Sequence, residues 1–162
     1  MKFTIIILTI GIPGSGKSRW VAKYLKEHPL AQVVSTDALR KEITGVEECI
    51  DPSQNTMIHD EARKRVKEIL DNTSDKGVNV REIIVDSTNC TVDEWLAYKK
   101  LGASVIRAVV FDRTPAQAME NQTHRKRYVP LPILEQKWND LQRDKKYLSY
   151  IFNMIDYIPY EI

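Results

Sequence analysis

An unbroken apolar run, Phe3 to Ile10, meets Gly11-Ile12-Pro13-Gly14-Ser15-Gly16-Lys17-Ser18 and then a segment with helical spacing. This order constrains the fold more than any other feature of the chain. The octet matches G-x-x-x-x-G-K-[ST] in full. Its glycines let consecutive backbone N–H groups turn inward toward one point. A helix beginning at Lys17 aims its positive end at that same point. Such a loop holds phosphate: Lys17 is spaced to reach the β- and γ-phosphates, and the Ser18 hydroxyl to ligate a bridging magnesium ion. The octet therefore predicts that Gly11, Pro13, Gly14, Ser15, Gly16, Lys17 and Ser18 bind ATP with Mg2+.

The rest of the chain alternates strand and helix. Phe3–Ile10 reads as a parallel strand covered on both faces, and Lys17 to His28 as a helix that Pro29 stops. A short strand over Gln32–Ser35 and a short helix from about Asp37 to Ile43 follow, then a loop over 44–53 and an amphipathic helix from Gln54 to Leu70. Asn79 to Asp86 is a third strand. Thr91 to Leu101 is a helix opened by a Thr91-x-x-Glu94 capping box and closed by Gly102. Ser104 to Asp112 is a fourth strand, Pro115 to His124 a helix, and Ile133 to about Tyr150 a last helix after a basic, proline-bearing segment. The pattern predicts a three-layer α/β P-loop fold with a mostly parallel central sheet flanked by helices, plus a lid over about 121–132. Such sheets bind ligands beyond the carboxyl ends of their strands.

A chain of 162 residues suits one domain spanning its full length, large enough to bury a core without disulfides. Its composition excludes intrinsic disorder and collagen-like repeats. Met1-Lys2 and the apolar run mimic the start of a signal peptide. The run is too short to cross a bilayer and no cleavage motif follows, so no membrane association is expected. Cys49 and Cys90 form no Cys-x-x-Cys pair, which speaks against zinc and for free thiols in a cytoplasmic protein. The formal net charge is +2, but it is unevenly placed. The first 112 residues balance, whereas residues 113–147 carry eight basic side chains against four acidic.

Three polar clusters fall at strand ends or in the lid. Asp37 and Arg40, at i and i+3, share one face of a helix start. There Asp37 would take a proton from an attacking hydroxyl and Arg40 hold an anionic group. The alternative is capping, for which Ser35, Thr36 and Asp37 are all suited. Asp86, closing the third strand before Ser87-Thr88-Asn89, is placed to hold magnesium, directly or through water, or is an ordinary loop residue. His124-Arg125-Lys126-Arg127, before Val129-Pro130, suits a mobile lid whose arginine neutralises charge on a transferring phosphoryl group; otherwise it is a basic loop. Tyr128 is the aromatic best placed for stacking. His28 and His59 read as surface or helix-end residues, and Trp20, Trp95 and Trp138 as helix residues facing the core.

Leu8 to Trp20, Asp37 with Arg40, Thr88-Asn89, Val110-Phe111-Asp112 and Arg125 with Val129-Pro130 together resemble the kinase domain of the bacteriophage-type polynucleotide kinase family. The resemblance spans nearly the whole chain and is close only at these motifs. It implies transfer of the ATP γ-phosphate to a polynucleotide 5′-hydroxyl end, with Asp37 as general base and Arg125 as lid arginine. Arg40, Thr88 and Asn89 would contact the acceptor. The chain departs from the family at Asn121-Gln122, where the family has Arg-Asn, in a lid shorter by one residue, and in Asp86 preceding Thr88 by two residues rather than one. The family's second nucleotide-contacting arginine is therefore either missing or supplied by Arg127. No phosphatase signature follows Asp112. Two other readings stand beside this one: a kinase acting on a small-molecule or tRNA-linked hydroxyl, and a nucleotide-dependent switch or ATPase acting on a partner protein.

Overall fold

The computed structural model describes residues 2–47, 52–72, 79–122 and 129–160. In chain order the elements are β1 (Phe3–Ile10), α1 (Lys17–Glu27), β2 (Gln32–Ser35), α2 (Thr36–Thr44), α3 (Asn55–Asp71), β3 (Val80–Asp86), α4 (Val92–Lys99), β4 (Val105–Val110), α5 (Pro115–Gln122), α6 (Leu131–Asp144), α7 (Leu148–Ile151) and β5 (Met154–Tyr157). The five strands form one sheet in the order β2-β3-β1-β4-β5, and every pairing is parallel. This is the P-loop fold that the alternation of strands and helices predicts.

Period-two alternation divides β1 between two cores. Ile6, Leu8 and Ile10 face one side, where Ile58, Ala62 and Val66 of α3, Trp95 and Tyr98 of α4, and Leu134 and Leu141 of α6 cover them. Ile7 faces the other side with Ile84 and Val109, beneath Val21, Trp20, Tyr24 and Leu25 of α1. Among the described residues α1 is the one helix packed on that second face. Trp20 stacks on Tyr24, and Tyr24 stacks on His28. Glu82 accepts the Tyr24 hydroxyl and faces His28 Nδ1 at 3.1 Å, so His28 closes α1 against β3.

The chain's end departs from the expectation of one long helix reaching Tyr150. Helix α6 stops at Asp144, a short 3-10 turn (Lys145–Tyr147) and α7 follow, and β5 then adds a fifth strand beside β4. Asn153 makes the turn: its Oδ1 accepts the Ile106 N–H at 2.9 Å and its own N–H donates to the Ile106 carbonyl at 3.0 Å. Arg107 Nε donates to Asp156 Oδ2 at 2.7 Å across the new edge. Arg113, buried after β4, donates to the carbonyls of Ile158 and Pro159 and fixes the segment beyond. A four-residue strand with two exposed side chains has too little periodicity to announce itself.

Candidate active site

The β2–β3 register pairs Ser35 with Asp86, and β1–β3 pairs Leu8 with Val85, so the carboxyl ends of three strands finish level. The phosphate loop, the start of α2 and Ser87-Thr88-Asn89 therefore meet at one edge of the sheet. The loop is wedged in place. Gly11 N–H donates to the Thr88 carbonyl at 2.9 Å, and a Cβ on Gly11 would lie 2.9 Å from the Phe111 carbonyl. Gly14 has φ +84°, and a Cβ there would meet the Ala118 carbonyl at 2.8 Å, so no other residue fits without strain. Asn121 Nδ2 donates to the Gly14 carbonyl at 2.9 Å, bracing the loop from α5.

Gly16 is the N-cap of α1, makes no side-chain cap, and no acidic residue follows in the first turn. The positive end of the helix is left for an anion. Lys17 is buried, with 8% of its surface exposed. Its Nζ donates to the Ile12 carbonyl at 2.9 Å and to Ser15 Oγ at 3.5 Å. Burial pulls its ammonium down to about 8, against the opposing pull of Cys90, Asp86 and Asp37. Both candidate carboxylates thus lie within the field of the loop lysine.

Ser18 Oγ donates to Asp86 Oδ2 at 3.2 Å. A hydroxyl and a carboxylate brought together offer two hard oxygens, which suit magnesium. That ion takes few protein ligands and completes its shell with phosphate oxygens and water. The described residues contain no group of three or more His, Cys, Asp or Glu side chains that would form a separate metal cage.

At the start of α2 the structure separates the three residues suited to capping. Ser35 is the N-cap, its hydroxyl oxygen accepting the Ala38 N–H at 3.2 Å. Thr36 is buried and donates to Ser87 Oγ at 3.0 Å. Asp37 instead lies half-exposed in the first turn, with Oδ1 accepting from Arg40 Nη1 at 3.1 Å. Arg40 is itself buried: Nη1 also donates to the Glu47 carbonyl at 3.3 Å, and Nη2 to Asn55 Oδ1 at 3.1 Å. The guanidinium therefore ties α2 to α3 and orients Asp37, beyond the anion contact expected from sequence.

Thr88 and Asn89 divide in the structure. Thr88 is half-buried at the strand ends. Asn89 is only 1% exposed and turns inward, with Nδ2 donating to the Thr9 carbonyl at 2.9 Å and its own carbonyl accepting Trp95 Nε1 at 2.5 Å. Its φ of 45° is the one positive value at a non-glycine residue among those described. Asn89 thus locks β3 to β1 rather than facing the space outside. Thr91 caps α4 by accepting the Glu94 N–H, and its hydroxyl donates to Glu94 Oε1, an altered form of the expected box. Cys90, buried under the loop, is pushed up to about 12 by desolvation and stays a thiol.

Arg125 and Arg127, with His124, Lys126, Tyr128 and Cys49, lie outside the described residues. On either side of these residues, Gln122 at the end of α5 exchanges two hydrogen bonds with the Val129 backbone. Two further residues lie within electrostatic reach of the site's charged groups. His59, near the start of α3, is half-buried, and burial, then Lys137, Arg63 and Arg40, hold its imidazole low. Lys137 of α6 is the other. Its signal was a lysine set three residues after Leu134 and four before Leu141, both buried, on the core-facing stripe of its helix.

A loop that cradles phosphate at the switch point of a parallel sheet, with a carboxylate at the next strand's end, defines a P-loop nucleotide-binding domain. Residues 6–145 match the family model described as an AAA domain, and the chain belongs to that family. No curated protein matches it in sequence. Among solved structures, a chain of the Pnkp1/Rnl/Hen1 RNA repair complex superposes with a TM-score of 0.71 at 19% identity. That match covers 90% of this chain and 46% of the other, so this chain spans less than half of that neighbour. A gluconokinase from Sinorhizobium meliloti 1021 gives a TM-score of 0.61 at 16% identity, covering 99% and 86% of the two chains. A shikimate kinase from Acinetobacter baumannii in complex with shikimate gives 0.55 at 13%, covering 100% and 86%. At these identities the likeness establishes a shared P-loop kinase-like fold. No helix among the described residues is long and apolar enough to cross a membrane.

Proposed function

We propose that this chain is an ATP- and Mg2+-dependent phosphotransferase that moves the γ-phosphate of ATP to a polynucleotide 5′-hydroxyl. The observation that carries the reading is Asp37, held by Arg40 at the end of β2 with its side chain half-exposed, in the electrostatic field of Lys17. A nucleotide switch needs no such carboxylate. A kinase does, because the attacking hydroxyl must be aligned and relieved of its proton.

In this mechanism the phosphate loop and the N-terminus of α1 bind the triphosphate. Lys17, released from the Ile12 carbonyl, pairs with the β- and γ-phosphates. Ser18 and Asp86 would hold magnesium, which when bound neutralises charge on the phosphate oxygens. The acceptor oxygen forms a bond to the γ-phosphorus while the bond to the β,γ-bridging oxygen breaks and its electron pair departs with ADP. The acceptor proton passes to Asp37. Arg125 is assigned to close over the phosphates from the lid.

The polynucleotide acceptor is supported by the family resemblance of the motifs, by the fold likeness to a component of an RNA repair complex, and by the basic excess of residues 113–147. A small-molecule acceptor is the second reading, favoured by the near-complete mutual coverage with the gluconokinase and shikimate kinase folds. Incubation with labelled ATP and a 5′-hydroxyl oligonucleotide, beside gluconate, shikimate and nucleosides, separates them. Transfer to the oligonucleotide that falls about 10²–10⁴-fold in Asp37→Asn is the expected result. Transfer to a small acceptor alone replaces the first reading with the second, and ATP hydrolysis indifferent to every acceptor removes both.

A further inference from the structure

Helix α6 buries Leu134 and Leu141 in the core and packs Trp138 against it. Lys137 stands on the same stripe, so its four-carbon stem runs along the protein and its ammonium must emerge at the helix's inner margin. It emerges at the phosphate loop. Lys137 Nζ donates to Thr88 Oγ1 at 3.4 Å, and the carbonyl of that same Thr88 holds the Gly11 N–H. Its charge is felt by Lys17 and Cys90 on one side and by His59 on the other.

Among the described residues this ammonium has one long hydrogen bond and no carboxylate within ion-pair distance. Glu94 feels its charge, yet burial pushes that carboxyl toward its neutral form. Like charges repel, and the Lys137 ammonium adds to the cost of charging Lys17. An anion bound between them turns that cost into attraction. The loop's sequence motif points to the anion, because the lysine of such a loop meets the outer phosphates.

We propose that Lys137 is a second lysine of the phosphoryl-transfer site, its ammonium contacting the γ-phosphoryl group from α6 while Lys17 contacts it from the loop. In the transfer described above Lys137 gives up no proton. It offsets charge on the γ-phosphoryl oxygens as the bond to the acceptor forms and the bond to ADP breaks. This deepens the kinase reading and rests on it for the reaction, though not for nucleotide binding.

The test reads nucleotide binding without any acceptor. In Lys137→Met, which keeps the stem and its packing, the affinity for ATPγS with Mg2+ should fall about tenfold and the affinity for ADP less than twofold, by titration calorimetry. Lys137→Arg should recover most of the loss, and Lys146→Ala, a charge-matched control, should bind both nucleotides as wild type does. Phosphoryl transfer, or ATP hydrolysis by water if no acceptor works, should drop about a hundredfold in Lys137→Met. Unchanged ATPγS binding, or equal losses for ADP and ATPγS, overturns the contact. A rise confined to the acceptor KM assigns Lys137 to the acceptor and overturns it equally. Failure of all transfer by the wild-type protein, with the ATPγS-selective loss intact, would refute the kinase reading and leave Lys137 in place.

Discussion

Ser18 and Asp86, sixty-eight residues apart in sequence, are joined by a 3.2 Å hydrogen bond from hydroxyl to carboxylate. The bond fastens the first turn of α1 to the end of β3. It also places two oxygens of different chemistry on one spot beside the phosphate loop.

That pairing fixes the expected cost of removing the carboxylate. Asp86→Ala should raise the Mg2+ concentration needed for half-maximal ATP binding by about 10–100-fold, the range seen when a partner of a metal site is lost. Nucleotide binding measured without metal should stay close to wild type. A metal dependence unchanged in the variant would mean that Asp86 serves the fold alone.

The buried Lys17 sets a pH dependence. Burial disfavours its charged form and pulls its ammonium down to about 8. A bound triphosphate favours that form, so above pH 8 binding must take up a proton. ATP affinity should therefore hold steady from about pH 6.5 to 7.5 and fall as pH rises through 8, steepening toward tenfold per pH unit. Calorimetric titrations in buffers of different ionisation enthalpy would reveal the proton taken up. A flat profile to pH 9.5 would contradict the assignment.

Asn89 is a test of architecture. Its side chain bridges β3 to the Thr9 carbonyl, and its backbone occupies left-handed space that asparagine tolerates better than most residues. Asn89→Ala should cost about 1–3 kcal/mol of stability by leaving a buried carbonyl unpaired. Urea denaturation measures this directly. A midpoint within error of wild type would show that the strand ends need no such clamp.

Much of this was readable from sequence where local chemistry decides the outcome. The octet at residues 11–18 carries its geometry in its glycines, and the alternating apolar residues of β1 declare a strand covered on both faces. Ser35, Thr36 and Asp37 could not be ranked as caps from sequence, because all three have a suitable oxygen. Only the side-chain geometry shows Ser35 capping, Thr36 buried on Ser87, and Asp37 turned toward Arg40. Strand β5 went unread because its identity comes from β4 and the Asn153 turn rather than from Met-Ile-Asp-Tyr itself. Lys137 is one of eight basic residues in 113–147, and only its buried neighbours Leu134 and Leu141 mark it as a charge on a core stripe.

The unequal covering of the sheet makes nucleotide more than a substrate. Among the described residues α1 is the one helix packed over Ile7, Ile84 and Val109, and α1 begins inside the phosphate loop. A triphosphate seated on that loop would pin the one described helix packed on this face. At a hundred times its dissociation constant, a ligand that binds only the folded state adds about 2.7 kcal/mol to stability. A bound nucleotide would then be a structural component of that layer.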